Sequence, residues 1–166
     1  MRLDKNGGVL ADTWYIDSKL VGEGVKITLP NLEWLTQSIK ANGNMDIPLA
    51  GLTDALDCNI TTDGGIIPAA VKPGMQSHEC RWVKTVIDKN GSTKEVGCKA
   101  FLKMISKNIP EQAVEEQEAM ESSYDYSVSR YQLFENGVEK VLIDKIAGVF
   151  KINGTNYAKS LDNYLY

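Results

Sequence analysis

Long apolar runs, basic clusters and paired cysteines are all missing from this chain of 166 residues. The apolar stretches are short and interrupted by charge, far below the roughly 20 residues that a membrane helix needs. The first segment carries acidic residues where a secretory signal would be apolar. We therefore expect a folded product without a membrane anchor, retained in the cytoplasm.

Positive charge is also scarce, because 18 Lys and Arg residues stand against 22 Asp and Glu, for a net charge of −4 at pH 7. Tight nucleic-acid binding needs a basic footprint, which this composition does not provide. An acidic protein can still surround nucleic acid without gripping it. The hydrophobic share of 43% is typical of a globular protein, and the length predicts a single domain over residues 1–166.

Cysteine and histidine are too few for a metal centre. Cys58, Cys80 and Cys98 are odd in number and form no C-x-x-C pair, and His78 is the one histidine of the chain. We predict three unbridged thiols in a protein core, in a reducing compartment. No metal and no cofactor are expected.

Catalytic motifs are absent as well: the chain has no G-x-S-x-G elbow, no phosphate-binding loop and no H-E-x-x-H. His78 stands beside Glu79 and two residues before Cys80. Neighbouring strand residues point to opposite faces, and residues two apart share a face without being in hydrogen-bond contact. We interpret His78 as a loop-end histidine with a polar role and expect no enzymatic activity.

What the sequence does contain is period-two alternation of polar and apolar residues, which is typical of half-buried strands. In one clear case Leu56, Cys58 and Ile60 form an apolar face, and the opposite, wet face carries Asp57, Asn59 and Thr61. The predicted strands cover residues 9–16, 25–29, 32–39, 56–61, 80–87, 96–104, 124–134 and 145–152. The sequence therefore predicts a mainly β protein.

Local signals connect these strands as antiparallel neighbours. Asn-Gly pairs within residues 88–91 and 135–137 favour tight hairpin turns, since both positions accept positive φ angles. The apolar set changes phase between Val128 and Tyr131, which predicts a bulge near Ser129 and Arg130.

Helix signals are few. After Gly154, apolar residues at positions 157, 161, 164 and 165 predict a short C-terminal helix, with Thr155 or Asn156 as its cap. A second short helical piece is predicted at residues 66–71. Residues 110–121 carry five acids and are interpreted as an exposed acidic excursion, helical at best in part. Residues 41–51 are interpreted as a long mobile loop between strands.

Three ordered stretches resemble the major tail tube protein family of contractile-tailed phages and of phage-derived contractile particles (tailocins). They are I-T-L-P-N-L-E at 27–33, K-P-G at 72–74 with the following hairpin, and L-I-D-K at 142–145 continued by V-F-K-I-N-G at 149–154 and Y-A at 157–158. The chain departs from the family pattern at Thr155 and Asn156, where an acid usually follows the glycine. It also departs at 110–121, where the family tends to carry a loop that contains glycine.

The resemblance implies an antiparallel β-sandwich or half-barrel with a short flanking helix and a short C-terminal helix, assembling into hexameric rings that stack into a hollow tube. The implied partners are copies of the chain itself, a tail sheath protein outside, a tape measure protein and DNA in the lumen, and a baseplate hub and a tail terminator at the ends. The implied location is a virion tail or a tailocin particle, assembled in the cytoplasm of the bacterial host.

The resemblance also places two sets of residues. Central strands of the family line the inner wall, so Asp57, Asn59 and Thr61 are expected to face the lumen. The loop with Asn42, Gly43, Asn44, Met45 and Asp46 is expected to be disordered in the monomer and buried between subunits in the tube.

Two other readings stay open at this point. A ligand- or carbohydrate-binding β-sandwich would use exposed aromatics such as Trp34 and Trp82 as a platform. A related tube protein of a bacterial secretion system would share the fold.

Overall fold

The computed structural model of the chain describes residues 3–64 and 66–166 and is mainly β, with 60% strand and 4% helix. Twelve strands precede one short helix within these residues. They are β1 (Lys5–Ile16), β2 (Lys19–Glu23), β3 (Lys26–Thr28), β4 (Trp34–Lys40), β5 (Asn44–Thr53), β6 (Asp57–Asp63), β7 (Met75–Ile87), β8 (Thr93–Ser106), β9 (Glu121–Glu135), β10 (Val138–Asp144), β11 (Val149–Ile152), β12 (Thr155–Asn156) and α1 (Lys159–Leu165).

One antiparallel sheet dominates the fold, in the order β12-β11-β10-β9-β8-β7-β1-β2. Strand β9 also pairs with β6 over its first half, and β6 pairs with β3. The second half of β9 pairs with β10 instead. Apolar side chains of β3 and β6 share one core with those of β1, β7 and β8. The two branches therefore enclose a common core, as in an antiparallel β-sandwich or half-barrel, and this confirms the predicted fold class.

The local turn and bulge signals are confirmed. Asp88 to Gly91 lies in the connection of β7 to β8, and Asn136 and Gly137 join β9 to β10 with φ angles of 51° and 76°. Lys103 is in register with Arg130, and the next residue of β8 pairs with Val128. Ser129 is thus the additional residue of a β-bulge, at the place where the partner of β9 changes from β6 to β10.

The main core is aromatic and contains two of the three thiols, Cys58 and Cys80, while Cys98 lies in a second small cluster. Its fully buried members include Trp14, Ile16, Ile60, Tyr124 and Met104. The three cysteines are buried and free, as expected from their number and spacing: Cys58, Cys80 and Cys98.

The region predicted as a long mobile loop is a hairpin, so that interpretation was wrong. Strands β4 and β5 pair with each other in a separate two-stranded sheet. Asn42 and Gly43 form its turn, with φ angles of 49° and 121°. Asn42 and Gly43 form an Asn-Gly pair, like those that predicted the turns within residues 88–91 and 135–137. Met45, Ile47 and Leu49 alternate with other residues, as expected for a strand.

Other boundaries also differ from the sequence-based expectations. Residues 66–71 contain no helix, so α1 is the one helix of the described residues and no flanking helix accompanies it. The strand predicted from residue 145 starts only at Val149, and Ile146 lies in a turn, 81% exposed. The cap of α1 is Ala158, whose N–H is bound by Asn156 Oδ1 at 3.0 Å. Residues 111–119 are exposed and irregular, as predicted for the acidic excursion.

Candidate assembly surfaces

A continuous polar surface covers the outer side of β6 and of the first half of β9. Leu56, Cys58 and Ile60 are buried at 2% exposure or less, so the alternate residues must face away from the core. We call this surface the polar wall, and its members are Asp57, Asn59, Thr61, Asp63, Glu121, Ser123, Asp125 and Ser127.

Hydrogen bonds across the two strands fix the polar wall. Asn59 Nδ2 donates to Ser123 Oγ at 2.8 Å and to Asp125 Oδ1 at 2.7 Å. Thr61 Oγ1 donates to Asn59 Oδ1 at 3.1 Å. The predicted residues Asn59 and Thr61 therefore lie in one network with β9 side chains that the sequence patterns did not single out. The alternation of Ser and Asp with buried tyrosines along β9 could have predicted these β9 side chains.

The polar wall is acidic overall. It carries four carboxylates, at Asp57, Asp63, Glu121 and Asp125, and two ammonium groups stand next to it. One is Lys107, whose Nζ lies 2.7 Å from Asp57 Oδ1, and the other is Lys26, in register with Thr61. The ion pair between Lys107 and Asp57 is largely exposed and therefore adds little stability. The net charge of four carboxylates against two cations remains negative.

The β4–β5 hairpin carries apolar side chains that the single chain leaves partly exposed. Trp34, Leu35, Met45, Ile47 and Leu52 are 37% to 51% exposed. Apolar patches of this kind mark interaction surfaces in soluble proteins. The residues predicted for the loop, Asn42 to Asp46, form the exposed tip of the hairpin.

The base of the hairpin is fastened to the main sheet while its tip projects. Trp34 packs edge to face on Phe150 of β11, with ring centroids 5.2 Å apart. Lys145 Nζ donates to the Asp54 carbonyl at 2.6 Å. An isolated two-stranded hairpin is only marginally stable in water, so these anchors help to hold it.

Three strands of the main sheet, β2, β3 and β12, have a neighbour on one side only within the described part of the chain. Such edges present unpaired backbone N–H and C=O groups, with which a second chain can continue the sheet.

Behind the polar wall lies a buried histidine that the sequence reasoning placed wrongly. His78 is inside β7 and 2% exposed, so it is not a loop-end residue. Its Nδ1 accepts a hydrogen bond from Trp14 Nε1 at 3.2 Å, and its ring meets Tyr126 at 4.7 Å. Burial lowers the pKa of His78 to about 4, against the smaller opposing effect of Asp17. The residue is a neutral member of the aromatic core.

The two tryptophans of the alternative carbohydrate platform do not come together. Trp82 packs with Val86, Val96 and Cys98 in a second small cluster, whereas Trp34 packs on Phe150. Across residues 3–64 and 66–166, no cluster of three His, Cys, Asp or Glu side chains could hold a metal ion. Among the described residues, no helix is long and apolar enough to cross a membrane.

These features define a structural β subunit whose conspicuous surfaces are a polar wall, open sheet edges and an apolar hairpin. The family of phage tail tube protein FII matches residues 11–165 of the chain. The chain belongs to this family and is a tail tube subunit.

Solved structures of contractile particles have a similar fold. The chain is similar to one in the extended sheath–tube complex of PVC, an extracellular contractile injection system, with a TM-score of 0.50 and 6% identity over 74% of this chain and 87% of that chain. It is also similar to one in the extended sheath/tube terminator complex of PVC, with a TM-score of 0.52 and 6% identity over 76% of this chain and 95% of that chain. A search of curated proteins finds no significant match.

Proposed function

We propose that the chain, as a single domain over residues 1–166, closes into hexameric rings that stack into the hollow inner tube of a contractile phage tail or tailocin. The observation that carries this proposal is the family match over residues 11–165 in a chain with open sheet edges and an uncovered apolar hairpin. The protein acts as a conduit and catalyses no reaction.

The partners follow from the same role. A sheath protein surrounds the tube and a terminator closes it, in line with the complexes in which the similar PVC chains occur. A tape measure protein and DNA occupy the lumen, and a baseplate hub binds the other end. The particle is assembled in the cytoplasm of the bacterial host.

Negative-stain microscopy of the purified protein tests this function directly. Rings and hollow tubes should appear as the protein concentration rises, because contacts that do not close on themselves generate filaments. A protein that stays monomeric at every concentration and binds a small ligand instead would refute the proposal.

The polar wall is the surface that we assign to the lumen. It is the acidic, hydrogen-bonded outer face of β6 and of the first half of β9, and it has no apolar side chain that a protein partner would bury. An acidic surface gives the phosphates of DNA no binding site, so that DNA can slide past it.

Replacing Asp57 by lysine should leave folding nearly unchanged and impair DNA passage. The Asp57 side chain is 62% exposed and forms an ion pair with the exposed Lys107, so the change should cost no more than about 1 kcal/mol. A hexameric ring would gain about twelve units of positive charge, which creates phosphate-binding sites in the lumen. Tube formation by microscopy and DNA delivery, or killing for a particle without a head, are the measurements.

Asp57→Asn is the matched control, because it removes the carboxylate without adding a cation. Its tubes should deliver DNA much better than those of Asp57→Lys. A tube map with Asp57 on the sheath side, or equal delivery by both variants and the wild type, would show that the polar wall is not the lumen surface.

The hairpin tip, residues 42–46, should become protected when tubes form. In the monomer its amides belong to a two-stranded sheet open to water, so exchange with solvent is fast. In the tube a neighbouring subunit should cover the tip and slow exchange by at least about tenfold. Amide exchange measured below and above the assembly concentration tests this, with the buried amides of β8 as an internal control. Equal exchange at the tip in both states would contradict an inter-subunit role.

A further inference from the structure

The side of the main sheet that faces away from the core carries an apolar groove of about 500 Å³. Val83, Phe101 and Phe134 line it, and the two phenylalanine rings pack edge to face with centroids 5.8 Å apart. Gly97 lies opposite Val83 in the β7–β8 register, and a Cβ added to it would meet nothing within 4 Å. We call this feature the outer groove. The groove is open at this point because Gly97 has no side chain to fill it.

Cations surround the phenylalanine pair of the outer groove. Four of them line this groove or the adjoining one of about 290 Å³: Arg81, Lys99, Lys103 and Arg130. The two arginines lie near acids, Glu79 and Asp144 respectively. The two lysines form no ion pair among the described residues. Asp12 also borders the groove, where its carboxylate accepts a hydrogen bond from Val25 N at 2.8 Å. The surface is therefore apolar in the middle and mainly basic around it.

The acidic segment, residues 111–121, has the complementary character. It contains five glutamates and no Lys or Arg, and all five glutamates are exposed. Val114 within it is 83% exposed, so its apolar side chain is available to a partner. An acidic segment with an aliphatic anchor matches an apolar groove with a basic rim.

The acidic segment cannot reach the outer groove of its own chain. It is fastened beside the start of β9, where Lys107 N donates to Asp125 O and Gly64 N donates to Met120 O. Phe134 lies near the opposite end of this 15-residue strand, which at about 3.3 Å per residue extends up to roughly 45 Å. A contact between different surfaces of two copies is heterologous, and repeating it builds an open stack when the rotation between copies does not close a ring.

We propose that the acidic segment of one copy seats in the outer groove of a second copy, in the next ring of the stack. Val114 packs over Phe101 and Phe134, and the glutamates face Lys99 and Lys103. The proposal rests on the tube function given above and names the surfaces that join successive copies.

Filling the groove tests the contact. Gly97→Phe should raise the protein concentration needed for tube formation by about tenfold or more, since it removes a contact on the order of 1.4 kcal/mol or larger. The unfolding midpoint should not fall, because the added side chain has space and an aromatic residue suits a strand. Sedimentation of tubes and chemical denaturation measure the two quantities.

Charge exchange separates a specific contact from a general loss of assembly. Lys99→Glu and Glu116→Lys should each weaken tube formation, and the double variant should recover part of the loss. A third test uses two preparations that both carry Cys98→Ser, because Cys98 also lines the groove; one has Gly97→Cys and the other Val114→Cys. After mixing, assembly and mild oxidation, a two-chain disulfide product is expected on a gel, whereas each preparation alone should give none.

The outcomes distinguish the contact from the tube function. If the wild-type protein forms no tubes under any condition, the proposed function fails. If it forms tubes, but Gly97→Phe assembles like the wild type and the mixed cysteine variants give no product, the docking contact is overturned and the tube remains. Gly97→Phe tubes that assemble normally and lose only sheath binding would assign the outer groove to the sheath, which also overturns the contact proposed here.

Discussion

Trp14→Ala is expected to lower the free energy of unfolding by about 4 kcal/mol, since deleting a buried tryptophan typically costs about 3–5 kcal/mol. Trp14 has 0% exposure and packs on Tyr124 with ring centroids 5.5 Å apart. The backbone at Gly22 approaches it so closely that an added Cβ would lie 3.3 Å from its ring. The substitution also leaves His78 Nδ1 without its donor. Chemical denaturation measures the loss, which is a large share of the 5–15 kcal/mol typical of a folded domain.

Trp34→Ala is the matched control for the same residue type. Trp34 is 39% exposed and contacts the main sheet through Phe150, so its removal should cost clearly less than that of Trp14. Its effect should appear in tube assembly instead, because the hairpin loses an exposed apolar side chain. Equal losses of stability in the two variants would contradict the burial difference on which the prediction rests.

Acidification should destabilise the protein through His78, by about 3 kcal/mol between pH 6.5 and pH 4. The folded pKa is lowered to about 4 because the imidazole is buried, while the unfolded chain binds the proton near pH 6.5. Above pH 6.5 neither state is protonated and the full stability is present. As the pH falls through this window, only the unfolded state gains the proton, so stability is lost until the folded pKa is reached.

His78→Gln isolates this contribution, since glutamine keeps a hydrogen-bond acceptor for Trp14 and does not titrate. The variant should be less stable at neutral pH because its shape differs from that of the ring. Its stability should nevertheless depend less on pH between 6.5 and 4 than that of the wild type. Parallel pH profiles of the two proteins would rule out His78 as the titrating group.

Signals that act over a few residues predicted much of this fold. The Asn-Gly turn at Asn136 requires two positive φ angles, and the phase change around Ser129 requires one additional residue, so both could be predicted from the chain alone. The buried face of β6 followed from the alternation of Leu56 with its neighbours. The polar wall was half predicted, because Asn59 and Thr61 were identified on β6 while the β9 side chains that bind Asn59 were not.

The features that were missed depend on distant residues or on local signals that compete with one another. His78 looks polar in its local sequence, and only the pairing of β7 with β1 brings Trp14 to its Nδ1. The second strand of the hairpin, β5, was missed because the glycines at residues 43 and 51 outweighed the alternation between them. Ile146 continued an apolar pattern that the turn after β10 interrupts. The outer groove could not be predicted, since it arises where three strands place Gly97 beside two aromatic rings.

The three buried thiols have a consequence for the lifetime of a particle outside the cell. Thiolates, not thiols, react with oxidants and disulfides, and burial raises the pKa of Cys58 to about 12 and that of Cys80 and Cys98 above the usual range. A tube released from a reducing cytoplasm into aerated medium thus carries its cysteines in their unreactive form. Chemical ageing by cysteine oxidation should be slow as long as the subunits stay folded, so the shelf life of the assembled particle is tied to the integrity of this core.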